Sequence, residues 1–507
     1  MFQGFHLQFA FQGTAMPQTN RLSRWLVLMI WLASGSITNV FLAAQDNSSG
    51  QIKEKTGVSP GDRNRLKLPK EDPGTLEARK LRMEQIPRSD YRFQAPQRVT
   101  AGGIPIQVEP PGYACPTMAD LDGDGRVDLF VGQMNGGNIR FYRNIGEENG
   151  LPLFASGQWL TLDDQRLSVP GVSCCTSATP QLIDWNQSGF LDLIAGNYGT
   201  DRQPHGNLWL FNGQGYQPER SSPKFGPPSI LEQGPGKPLL TASYSRETDF
   251  QQSILDGLCL HPFAVDFDGD GDLDLVVGTN GGRFFWFENL GTAEAPLLTA
   301  QPQLLTIALP IARSAPILID WNQNGNLDLI SGAADGGVYL SINNGKVGNP
   351  DWTDWTVLIP PPLDELTANE QDLANEPKER SGHSSRVWVG DFNRDGLLDL
   401  LVGDCSPGYL PHPGIAVEDF WNKERAFGLK NQKLEQERQE IIGQLRQLEQ
   451  QSANRSLELG PEYKQLEERL HETSEQIRWG WEERTRWGSR TQTGYVWLYL
   501  QAPQSRD

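Results

Sequence analysis

Three things are in short supply along this chain of 507 residues: cysteine, histidine and positive charge. Five cysteines, Cys115, Cys174, Cys175, Cys259 and Cys405, leave at least one thiol unpaired. Adjacent Cys174 and Cys175 rarely bond each other, and no Cys-x-x-Cys or Cys/His spacing points to zinc or c-type haem. Disulfides therefore do not organise the fold. Histidine occurs six times, and His205, His383 and His412 have no recurring partner. No nucleophile elbow, Walker loop, zinc-protease motif or dinucleotide fingerprint accompanies them. Lysine and arginine number 44 against 63 acidic residues, a net charge of −19, which argues against nucleic acid as a partner.

Long apolar runs are equally rare. Only Trp25–Ala33, behind Arg21 and Arg24, has the basic region and apolar core of a signal peptide. Met16 is a plausible start, and cleavage after Ala44 would release the mature chain. The alternative is an uncleaved anchor that tethers the protein to a membrane. Residues 1–44 are thus read as signal peptide or signal anchor, and the expected location is secreted, periplasmic or cell-surface. Residues 45–92, polar and without periodicity, are expected to be a linker.

What the chain does have is a device used five times: an acidic loop, then a short apolar strand ending at glycine. The copies are Asp120-Leu-Asp-Gly-Asp-Gly-Arg-Val-Asp128, Asp184-Trp-Asn-Gln-Ser-Gly-Phe-Leu-Asp192, Asp266-Phe-Asp-Gly-Asp-Gly-Asp-Leu-Asp274, Asp320-Trp-Asn-Gln-Asn-Gly-Asn-Leu-Asp328 and Asp391-Phe-Asn-Arg-Asp-Gly-Leu-Leu-Asp399. Oxygen-bearing side chains stand at positions one, three, five and nine, with glycine at six. Alternate carboxylates and amides can turn inward on a hard cation while the glycine permits the bend. The closing glycines, Gly132, Gly196, Gly278, Gly332 and Gly403, all lie twelve residues after the first aspartate.

The candidate metal ligands are Asp120, Asp122, Asp124, Arg126 and Asp128 in loop one, and Asp184, Asn186, Ser188 and Asp192 in loop two. Loop three offers Asp266, Asp268, Asp270, Asp272 and Asp274. Loop four offers Asp320, Asn322, Asn324 and Asp328, and loop five Asp391, Asn393, Asp395 and Asp399. An EF-hand shares the opening pattern but requires a glutamate at position twelve, where Val131, Ala195, Val277, Ser331 and Val402 stand. The expected ion is Ca2+, since Mg2+ demands a tighter octahedron than a flexible loop supplies. Ligand charge ranks loops one and three as the tightest sites. Loops two and four, with two carboxylates each, are expected to bind weakly or to stand as hydrogen-bonded turns.

A proline precedes the first aspartate by four residues in four copies (Pro116, Pro180, Pro262, Pro316), and Val387 takes its place in the fifth. A second, aromatic strand follows each loop: Gly137–Asn144, Gly206–Asn212, Gly282–Asn289, Gly337–Asn343 and, at the far C-terminus, Gly494–Leu500. Loop starts are 64, 82, 54 and 71 residues apart, the size of a four-stranded propeller blade with variable connections. The segment Phe93–Ile106 resembles Phe154–Val169, so an N-terminal strand is expected to complete the last blade. The expected fold is all-β, a β-propeller of five blades, or of six or seven if a blade has lost its loop. It would span 93–416 and close through 488–507.

These residues resemble the FG-GAP/VCBS repeat family, the calcium-loop propellers of integrin α-chain heads and of many secreted bacterial proteins. The match covers roughly Pro116 to Gly403 plus the final strand, and its Asp-x-Asp-x-Asp-Gly-x-x-Asp-Leu core is specific. The Phe-Gly and Gly-Ala-Pro signatures that name the family are missing, which favours the bacterial VCBS branch. The resemblance implies an adhesion or carbohydrate-binding module with a glycan or protein ligand. Some members are attached to polysaccharide-degrading enzymes, so a lyase or hydrolase on the same scaffold is the alternative.

Between the fifth loop and its aromatic strand lies a foreign segment, 417–487, rich in Gln, Glu, Arg, Lys and Leu. Leu434, Ile441, Leu445 and Leu448 form one heptad seam, and Tyr463, Leu466, Leu470 and Ile477 another. An antiparallel helical hairpin is expected, able to zip on itself or to mediate protein contacts. Finally, aligning the copies on the proline sets Cys115, Thr179, His261, Ala315 and Arg386 at one equivalent position. In a propeller they would ring one end of the axis, either as a polar plug or as a grip for an anion or acid–base chemistry. Cys115, Thr179, His261 and Arg386 are the candidate ligand-binding set.

Overall fold

The computed structural model describes residues 86–172, 177–197, 206–217, 222–232, 239, 258–362, 380–455 and 460–503. The signal segment, the first part of the linker (45–85), Cys174, Cys175 and His205 lie outside the described residues.

The described chain is mostly β. Four four-stranded antiparallel sheets and one five-stranded sheet, completed by Gln107–Val108, carry the repeats. Beside them are a mixed sheet of Ile104–Pro105, Thr100–Ala101, Leu151–Phe154 and Asn144–Glu148 and three two-stranded pairs. In each repeat sheet, the strand before an acidic loop comes first, the strand after it second, and the aromatic strand third. Sheet one runs Cys115–Ala119, Asp128–Gly132, Ile139–Tyr142 and Gln158–Trp159. Sheet two runs Thr179–Ile183, Asp192–Gly196, Leu208–Phe211 and Ser229–Ile230. Sheet three is His261–Val265, Asp274–Gly278, Arg283–Phe287 and Gln303–Ala308, and sheet four Ala315–Ile319, Asp328–Gly332, Val338–Ser341 and Thr356–Ile359. Sheet five takes His383–Gly390, Asp399–Pro411 and Gly488–Tyr499, and its fourth strand is the N-terminal Gln97–Arg98. Gln97 pairs with Leu498 and Arg98 with Trp497, so the two ends of the repeat region are joined within one sheet. Arg92–Phe93 adds a second tie to Gln501–Ala502.

The sheets meet through their glycines. A Cβ added at Gly132 would lie 2.1 Å from the carbonyl oxygen of Ala178, the residue leading into sheet two. The same clash recurs at Gly196 with Leu260 (2.0 Å), Gly278 with Ser314 (2.4 Å), Gly332 with Ser385 (2.4 Å) and Gly403 with Ala114 (2.3 Å). The last contact brings sheet five back to sheet one. The recurrent glycine is therefore a requirement of sheet-to-sheet approach, not of turn conformation, and the arrangement is propeller-like. Between sheets lie the buried second and third strands, with Phe130 stacked on Phe141 and Phe267 against Trp286.

One expectation fails at its edge. A polar linker through residue 92 is not what the chain forms over its last residues. Ile86 is buried, Ser89 donates its N–H to the Val357 carbonyl at 3.0 Å, and Tyr91 meets Trp321 edge-on at 5.4 Å. Isolated apolar residues in a polar stretch cover the outer strand of sheet four, a contact that periodicity does not reveal.

The inserted segment forms two helices, α1 (Val417–Arg455) and α2 (Pro461–Arg484), with Gly460 as the N-cap of α2 and Pro461 opening it. They run antiparallel. Arg484 pairs with Glu424 at 2.5 Å, Arg469 with Glu437 at 2.9 Å, and the Tyr463 hydroxyl donates to Glu449 at 2.7 Å. Ile441, Leu445 and Leu466 are buried between them, with Leu448, Tyr463 and Leu470 packed alongside. Among the described residues, no helix is long and apolar enough to cross a membrane.

Candidate functional site

All five loops share one hydrogen-bonded scaffold. The first aspartate accepts through Oδ2 from the sixth-position glycine in every copy: Gly125 to Asp120 at 2.9 Å, Gly189 to Asp184 at 2.8 Å, Gly271 to Asp266 at 3.1 Å, Gly325 to Asp320 at 2.8 Å and Gly396 to Asp391 at 2.9 Å. Those glycines have φ between 83° and 98°, the left-handed region that a side chain disfavours. The fourth position is left-handed too, with φ of 49° at Gln187, 60° at Gln323 and 58° at Arg394. Loops one and three place glycine there as well (Gly123 and Gly269), so the richest loops are also the least strained.

The ninth aspartate does more than end the motif. It is buried in every copy and spans two elements. One oxygen accepts the N–H of the second loop residue: Leu121 on Asp128 at 3.3 Å, Trp185 on Asp192 at 3.1 Å, Phe267 on Asp274 at 3.2 Å, Trp321 on Asp328 at 3.0 Å and Phe392 on Asp399 at 3.0 Å. The other oxygen accepts an N–H just past the third strand, from Asn144, Gly213, Asn289, Asn343 and Gln501 at 2.6–2.8 Å. Burial pushes Asp128, Asp274 and Asp399 up to about 6, against the pull of these backbone donors. The ninth aspartate is thus a brace between loop and sheet in all five repeats. The motif contained a hint of it: asparagine at the end of the aromatic strand, whose Oδ1 accepts from Gly146 (3.1 Å), Gly291 (3.0 Å) and Gly345 (2.8 Å).

Convergence separates the loops that the scaffold makes alike. Among the described residues, three carboxylates gather in two places, Asp120, Asp122 and Asp124, and Asp266, Asp268 and Asp270, each with ligand atoms within 4.8 Å of one another. In loop one this charge has company. Arg143, just past the third strand, reaches Asp122 at 2.5 Å, and Arg126 lies against Asp124. The Arg126 guanidinium is paired with a carboxylate and has no acceptor to offer, so this residue could serve an ion only through its backbone carbonyl. Loop three has no ion pair to Asp266, Asp268, Asp270 or Asp272 among the described residues. Asp268 and Asp272 are both pushed upward, first by burial and next by the neighbouring Asp270 carboxylate. A cluster of hard oxygen donors with uncompensated negative charge fits a divalent cation. Loop three fits best, and loop one fits in competition with its arginines. Loops two, four and five replace carboxylates with Asn186, Ser188, Asn322, Asn324 and Asn393. In loops two and four the fifth-position N–H bonds to the first and third side chains (Ser188 to Asp184, 2.8 Å, and Asn186, 3.2 Å; Asn324 to Asp320, 2.9 Å, and Asn322, 3.1 Å).

The equivalent positions at the other end of the first strands are also placed. Cys115, Thr179, His261, Ala315 and Arg386 each pair with the close-packing glycine of their own sheet, and all five are buried. Thr179 is committed to backbone: its hydroxyl donates to the Leu260 carbonyl at 3.1 Å and accepts from the Gly196 N–H at 3.0 Å. Cys115 and His261 both feel the Arg386 charge. Burial raises the Cys115 thiol to about 12 although Arg386 pulls it down, so it stays neutral. Burial, and then the Arg386 charge, hold His261 well below the usual imidazole range.

Residues 320–402 match the family model of the FG-GAP-like repeat. No curated protein matches the chain. Among solved structures it is similar to the crystal structure of BBS1N in complex with ARL6DN soaked with lead, at 16% identity and a TM-score of 0.24, covering 54% of this chain and 62% of that one. The mercury-soaked crystal of the same complex matches at 14% identity and a TM-score of 0.23, over 62% of this chain and 70% of that one. The chain thus spans less than two thirds of the first of these.

Proposed function

We propose that the protein is a calcium-stabilised five-bladed β-propeller that acts as a binding module for a glycan or a protein outside the cytoplasm. One observation carries this reading: the division of labour between the two ends of the ring. Every first strand runs toward its acidic loop and every second strand runs back to its glycine, so the five loops share one end. At that end, calcium on Asp266, Asp268 and Asp270, and on Asp120, Asp122 and Asp124, would supply the positive charge that pins each loop to its sheet. The other end is free of that duty. It carries the turns between second and third strands, the entries to the first strands, and the helical pair. Binding residues grafted on such connections leave the scaffold intact, so the ligand is assigned to this end.

The helical pair supplies a second contact surface, an antiparallel coiled-coil arm. Trp479 and Leu429 are well exposed on it, at 61% and 59%.

The test is retention of the calcium-loaded protein on a broad set of polysaccharides, with glycan chain length recorded in the same samples. Retention with intact chains is the expected result. Shortened chains would convert the reading to a lyase or hydrolase. Removal of 417–487 with retention unchanged would confine binding to the ring.

A further inference from the structure

The buried end of the first strands poses an electrostatic problem opposite to that of loop three. Arg386 is 3% exposed, and its guanidinium stays charged in a protein interior. Its Nη1 donates to the Ser385 carbonyl at 2.8 Å, while its Nε is buried with no acceptor. No carboxylate pairs with it among the described residues, and the charged or ionisable groups that act on it are Cys115, Cys259, Arg313 and Tyr113. Arg313 among them adds a like charge. His261, 6% exposed, likewise has a buried Nδ1 with no partner. His261 and Arg386 belong to sheets three and five, which are not neighbours in the ring, yet each begins at the same glycine-paired position. They therefore approach one another across the axis.

A buried cation with an unfilled donor is strongly unfavourable unless a counter-charge accompanies it. Water fills a hydrogen bond but leaves the charge. We propose that the axial end of the ring binds a small monovalent anion, a halide or a formate-sized carboxylate, against the Nε of Arg386 with His261 on the opposite side. The guanidinium supplies charge and direction, and the neutral imidazole supplies a donor without adding a second full charge. Because five sheets converge there, the anion would act as a keystone: it removes the repulsion that Arg386 and Arg313 impose on neighbouring first strands. This site lies at the end of the first strands opposite the acidic loops and is separate from the calcium ligands.

The experiment uses the full chain with saturating calcium and constant ionic strength. Thermal unfolding is followed while bulky isethionate is replaced by chloride, bromide or formate. The expected result is a saturable rise in melting temperature with the small anions, lost in Arg386→Met. Crystals of the unaltered protein grown in bromide provide the second reading, which does not depend on a variant folding. An anomalous peak within hydrogen-bonding distance of the Arg386 Nε supports the site. Water alone at that position, or the same anion response in Arg386→Met, overturns it.

Discussion

Loops one and three open with the same pattern, Asp-x-Asp-Gly-Asp-Gly, and fold onto the same backbone, with glycine at both left-handed positions. They differ in what stands beside them. Arg143 and Arg126 answer two of the carboxylates in loop one, whereas those of loop three have no basic partner among the described residues. Ligand spacing thus specifies that a loop can wrap a cation, but the neighbouring strand decides how much negative charge remains for it. Arg143 lies fifteen residues past Asp128, outside any window in which the motif would be recognised. Two loops with the same four carboxylates at positions one, three, five and nine should separate by affinity, loop three being the tighter.

The largest effect should come from the ninth aspartate, which braces both loops alike. Asp274→Ala and Asp128→Ala each strand two buried N–H groups, those of Phe267 and Asn289 and of Leu121 and Asn144. At about 1–3 kcal/mol for each unsatisfied group, both variants should lose roughly 3 kcal/mol or more, with calcium or with chelator. Chemical unfolding in both conditions measures it.

Next comes the ion itself. Asp266→Ala should remove most of the calcium-dependent rise in melting temperature, because it takes the leading ligand from the uncompensated loop. A site filled at 100 times its Kd contributes about 2.7 kcal/mol, so the loss should be several degrees. Arg143→Ala should sharpen the comparison from the other side. Freed of a competing cation, loop one should bind calcium a few-fold more tightly, consistent with roughly 0.2–1 kcal/mol for a partly exposed pair, and less so at high salt. Calcium titration by calorimetry at two salt concentrations would show it. The smallest calcium-specific effect is expected for Asp320→Ala in loop four. That variant loses the turn bonds from Gly325 and Asn324, a loss of about 1 kcal/mol, while the calcium-dependent shift stays as in the parent protein.

Much of this architecture was legible in the chain. The five loops, the aromatic third strands and the N-terminal strand that joins the last sheet all follow from repeat spacing and periodicity, because each repeat solves the same packing problem locally. The helical pair was legible for the same reason: Ile441, Leu445 and Leu466 recur at seam spacing and are buried together. What escaped depends on contacts between repeats. The meaning of Gly132 and its four counterparts lies in a carbonyl of the next sheet, and the cover that Ile86 and Tyr91 provide lies against sheet four. The brace role of the ninth aspartate needed the third strand in place before both oxygens could be assigned. At the axis, sequence alignment brought Cys115, His261 and Arg386 to one register, but only burial shows that the first is held as a thiol, the second is pushed toward neutrality and the third keeps an Nε with no acceptor.

The most direct measurement is thermal unfolding of the parent protein and of Asp266→Ala, each with calcium and with chelator. The account predicts that chelation lowers the melting temperature of the parent by several degrees and changes the variant much less. Equal melting of the parent in both conditions would contradict it, leaving the five loops as self-bonded turns on a ring that needs no metal.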